Sequence, residues 1–104
     1  MPFPPKRDHR IPLAAAAALT RRYREHAGPN AEKAGAFPKE DVQQVLDQSG
    51  AAGLRIYFGR SEQGQTELIL VGVDADGNDM TQGELMDLSF PCPPFCGGGN
   101  SLNS

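Results

Sequence analysis

The chain has 104 residues, which allows one domain's worth of core and leaves no room for a separate catalytic domain. Hydrophobic residues make up 38% and there is no Trp, while much of the 12 Gly and 9 Pro, six prolines and a run of three glycines, lies near the ends, so an ordered centre with extended arms is expected. The net charge of -3 hides a basic N-terminal part (balance +5 over residues 1–39) and an acidic remainder (-8), a layout that draws copies of the chain together.

Residues 1–10 contain three prolines and read as a basic arm outside any helix. Residues 11–90 are expected to form a single domain. A helix is expected from Pro12 to about Ala27, where alanines and arginines favour helix and Gly28-Pro29 ends it. Ala15, Ala16, Leu19, Tyr23 and His26 share one face, read as its core side, with His26 packed rather than catalytic.

A second helix is expected from Pro38 to Gln48, with Glu40 and Asp41 in its first turn and Val42, Val45 and Leu46 as its buried stripe. Leu54, Ile56 and Phe58 then alternate with Arg55 and Tyr57 as a strand bracketed by Gly53 and Gly59. The run Thr66 to Val73 is apolar on both faces from Leu68 to Val71 and reads as the best-buried strand. Asp74 to Asp79 is a tight connection, followed by an extended piece near Met80 and a third strand from Leu85 to Ser89. The expected class is α+β, with two N-terminal helices on one face of a small antiparallel three- to four-stranded meander. An uncovered edge of that sheet would permit pairing between copies.

Residues 91–104 form a tail rich in Pro, Gly and Cys, with too little apolar content to order itself unless something docks it. Cys92 and Cys96 stand at C-x3-C spacing. Zinc needs four ligands, and the chain adds only His9 and His26, so no metal site is expected within one copy. The alternatives for the pair are two reduced thiols, or a disulfide that would contribute only about 2 kcal/mol by closing so short a loop. A redox centre fits poorly, because the spacing is not C-x2-C and Gly-Gly-Gly follows where a helix would be needed to lower a thiol pKa.

Asp74 to Asp79 misplaces the glycine and the closing glutamate of a calcium loop. Arg21, Arg22 and Arg24 could contact phosphates, but the acidic balance and the absence of any nucleic-acid motif make weak nucleic-acid binding a minor alternative. No nucleophile elbow, Walker loop or zinc-protease motif occurs, and the chain is expected not to be an enzyme and to carry no cofactor. The alanine-rich stretch after the basic arm is a poor secretion signal and no run is long enough to span a membrane, so the default is a cytoplasmic location.

The segments Leu-Thr-Arg-Arg-Tyr-Arg, Gly-Leu-Arg-Ile-Tyr-Phe-Gly, Leu-Val-Gly-Val-Asp-Ala-Asp-Gly-Asn-Asp and Pro-Cys-Pro-Pro-Phe-Cys resemble a group of short hypothetical bacterial proteins, over residues 13–104. That resemblance implies a free-standing small bacterial protein and transfers no activity. The expectation is a non-enzymatic protein that assembles with itself or another protein, with Arg21, Arg22, Arg24 and Phe95 as contacts. Its main rival is a metal- or thiol-dependent function centred on Cys92 and Cys96.

Overall fold

A computed structural model describes residues 2–103. Its elements in chain order are α1 (Leu13–Ala27), β1 (Ala34–Ala36), α2 (Lys39–Leu46), β2 (Ala51–Arg60), β3 (Thr66–Asp74), β4 (Leu85–Met86) and β5 (Phe90–Cys92). The class is α+β, with antiparallel strands in two sheets. The chain divides into two units, one of residues 1–6 and 37–89 and the other of residues 7–36 and 90–104.

The first unit holds a three-stranded sheet in the order β2-β3-β4, with α2 packed on it. In β3, Leu70, Val71 and Val73 are buried, so this strand is covered on both faces as its apolar run requires. Leu54, Ile56 and Phe58 of β2 lie opposite Gly72, Leu70 and Leu68 and share a face with them. That face meets α2. A side chain at Gly72 would press on the Gln48 amide, the Met80 sulfur and the Val45 carbonyl, and Val45 itself is fully buried. On the other face Phe3 lies over Gly53, close enough that a Cβ there would strike its ring, and its amide donates to the Ala75 carbonyl at 2.9 Å.

Connections follow local chemistry. The Asp74 carboxylate accepts from the Asp76 and Asn78 amides at 2.9 and 3.0 Å, and Gly77 takes φ 85°, the left-handed geometry that glycine adopts without steric cost. Gln48 ties α2 to the β4 end: its amide donates to the Val45 carbonyl and its oxygen accepts from the Glu84 amide, both at 2.8 Å.

The second unit holds α1 and a two-stranded ladder in which Ala34, Gly35 and Ala36 of β1 face Cys92, Pro91 and Phe90 of β5. The helices are therefore divided between the two units, α2 with the three-stranded sheet and α1 with the β1-β5 ladder, rather than sharing one meander.

Three details differ from the sequence reading. None of the residues of α1 is fully buried, and Leu19, Tyr23 and His26, expected on its core side, are exposed. The covered stripe is Ala16, Thr20, Arg24 and Ala27, rotated because the Tyr23 hydroxyl reaches out to the Glu32 carbonyl at 3.1 Å while Arg24 is drawn to the tail. Leu46 of α2 is 42% exposed, leaving Val45 as the residue that fills the core. The third strand is shorter than expected, since Leu88 adopts φ 59° and breaks the extended run after Met86.

Candidate functional site

The chemically distinctive residues fall in two places, one in each unit. In the second unit, Cys92 and Cys96 form a disulfide with Cα atoms 4.7 Å apart. The loop is braced on both sides: the Phe95 amide donates to the Pro91 carbonyl at 2.7 Å, and the Lys33 amide to the Cys92 carbonyl at 2.7 Å. Both Cys92-Pro93 and Pro93-Pro94 are cis. Cys92 is buried, whereas Phe95 is 60% exposed and meets Phe90 edge-on, with ring centres 5.5 Å apart.

The end of the tail is docked rather than loose, and polar contacts replace the apolar ones it lacks. Arg24 donates to the Leu102 carbonyl at 2.6 Å and the Lys33 ammonium to the Asn103 carbonyl at 2.5 Å, while the Asn103 amide donates to the Cys96 and Gly98 carbonyls. Of the expected contact residues, Arg24 and Phe95 belong to this hook, and Arg21 and Arg22 stand exposed on α1. Lys33 completes it, through its ammonium and its amide; it was not singled out as functional, and nothing in its spacing marks it.

In the first unit, the exposed strand β2 carries a polar cluster. Arg55 and Tyr57 share a face, and both reach Asp79 just beyond the Asp74 turn. The Arg55 guanidinium lies 2.5 Å from one carboxylate oxygen and the Tyr57 hydroxyl donates to the other. The Tyr57 hydrogen bond, then the Arg55 bond and charge, hold the Asp79 carboxyl below the usual aspartate value, and Asp79 raises the guanidinium of Arg55 in turn. Beside this neutralised cluster, Ile56 is 50%, Tyr57 46% and Phe58 83% exposed.

Among the described residues no group of three His, Cys, Asp or Glu side chains is placed to hold a metal. The disulfide also occupies both sulfurs that a zinc site would need. Among the described residues no helix is long and apolar enough to cross a membrane.

The fold and these two places define a small α+β chain of two units, one ending in a disulfide-closed hook and the other bearing an open sheet edge. A scan against protein-family models and searches of curated proteins and of solved structures find no match to it.

Proposed function

We propose that the chain is a non-enzymatic small protein that acts by assembling with itself or with a protein partner. The observation that carries this reading is the amount of large apolar surface left uncovered, with Phe58, Leu88, Phe95 and Ile56 all half exposed or more while the buried hydrophobic set is Val45, Leu70, Val71, Val73 and Cys92. Within β2 of the first unit, Ile56 and Phe58 stand on the same face of one strand, the kind of grouped apolar surface that marks interaction sites. The charges would favour a head-to-tail mode of association, because they sort by unit. The first unit holds ten carboxylates against four basic side chains, a balance of -6, and the second six basic side chains against three carboxylates, a balance of +3. Size-exclusion chromatography with light scattering at low and high salt tests the self-assembly arm, and a strict monomer at high concentration in both overturns it.

The Cys92–Cys96 bond favours one second reading, a thiol-dependent role in which a dithiol reductant opens the loop and releases the hook. The same bond weighs against the cytoplasmic location that composition suggests, since reductants there keep such pairs as thiols. Alkylation of free thiols in intact cells, read by mass, tests both: a fully alkylated chain places the protein in a reducing compartment and removes the disulfide from its working state.

A further inference from the structure

Resting on that assembly reading, we propose that two copies of the chain join edge to edge through β2, antiparallel, with the two-fold axis at Ile56. Strand β2 is an outer strand of its sheet and runs from Ala51 to Arg60. Among the described residues its outer edge has no backbone partner from Gly53 to Gly59. Outer strands usually carry a guard against pairing, such as a proline, a lysine or a central bulge. The stretch Gly53 to Gly59 has none: its irregularity lies at the Ala51/Gly53 end, and its single charge, Arg55, is engaged by Asp79.

The second copy is the occupant because the sequence of β2 is its own complement in one register. With Ile56 opposite its counterpart, Leu54 and Phe58 of one copy face Phe58 and Leu54 of the other, and Arg55 and Tyr57 face Tyr57 and Arg55. Gly53 and Gly59 face each other in the same way. All three apolar residues then meet apolar partners on one face, while on the other Arg55 and Tyr57 of each copy reach across β3 to Asp79 and leave no unpaired charge at the seam. Moving the axis to Arg55 sets two arginines against each other, and moving it to Tyr57 sets Arg60 against Leu54. An odd shift would turn the apolar face of one copy against the polar face of the other.

This interface has a salt signature. Each copy brings its acidic unit, of balance -6, to the contact, so repulsion opposes pairing and added salt strengthens it by screening. Head-to-tail attraction between the basic and acidic units would instead weaken in salt.

The test is sedimentation of the full chain across a wide concentration range, together with two kinds of variant. The expected result is a dimer that tightens with salt, weakens on the order of tenfold or more in Phe58→Arg, and in Ile56→Cys is joined copy to copy by a short thiol cross-linker. Phe58 is 83% exposed, so its replacement spares the fold; circular dichroism checks this, and Ile56→Lys serves as a second interface variant. A dimer that persists in both variants and gives no 56-to-56 cross-link overturns the β2 interface while leaving assembly intact. A wild-type monomer at every concentration and salt overturns both the β2 interface and self-assembly.

Discussion

Tyr57 donates its hydroxyl to the carboxylate of Asp79, which joins the middle of β2 to the far side of the Asp74 turn. The bond works with the Arg55 ion pair to fix which way the strand's polar face points. It also keeps Asp79 ionised into more acid solution than a free aspartate.

Tyr57→Phe is expected to raise the Asp79 pKa toward its usual value and to lower the thermal midpoint by a few degrees. Because the folded-state pKa of Asp79 is depressed, its stabilisation is complete above the unfolded aspartate pKa, roughly 4, and is lost as pH falls through the lower folded value. The variant should begin to lose stability at a higher pH than the wild type. Denaturation midpoints across the acid range, with NMR titration of the Asp79 carboxyl, check this.

Gln48→Ala should cost about 1–2 kcal/mol, since it removes both the bond to the Val45 carbonyl and the acceptor of the Glu84 amide. The effect should be local. Amide exchange is expected to speed up at Glu84 while the amides of β3 stay protected.

Val45→Ala takes methyl groups from the one fully buried residue of α2 and should destabilise the first unit by about 2 kcal/mol, measured by urea unfolding. Leu46→Ala, at a 42% exposed position on the next residue, should cost clearly less.

Replacing both Cys92 and Cys96 with serine should cost the second unit no more than about 2 kcal/mol, the chain-entropy value for so short a loop. Faster exchange is expected at the Lys33 and Phe95 amides, which donate to the carbonyls of Cys92 and Pro91. Exchange in β3 should not change.

Much of the first unit was legible from local pattern. The two-sided apolar run of β3, the alternation of Leu54, Ile56 and Phe58, and the Asp74 to Asp79 turn all depend on neighbours in sequence. The second unit was not. Ala34-Gly35-Ala36 has no β-branched or aromatic residue and becomes a strand only through residues 90–92, a partner no local window contains. The face of α1 failed for the same reason, since Arg24 turns toward the carbonyl of Leu102 far along the chain. At the candidate sites, the cysteines and the arginines could be picked out by residue type, whereas Lys33, Tyr57 and Asp79 gain their roles from distant partners.

The β1-β5 ladder also sets an order of events during synthesis. Ala36 pairs with Phe90, so residues 37–89 form a closed loop between the two strands, and the ladder must wait until that whole segment has been made. Residues 37–89 meanwhile contain every strand of the three-stranded sheet and can begin to fold as they emerge. Residues 7–36, α1 included, are made before residues 37–89 yet stay unfinished until residues 90–92 follow. Cys92 and Cys96 follow residues 37–89 in the chain, so the bond between them is made only after every strand of the three-stranded sheet has been synthesised.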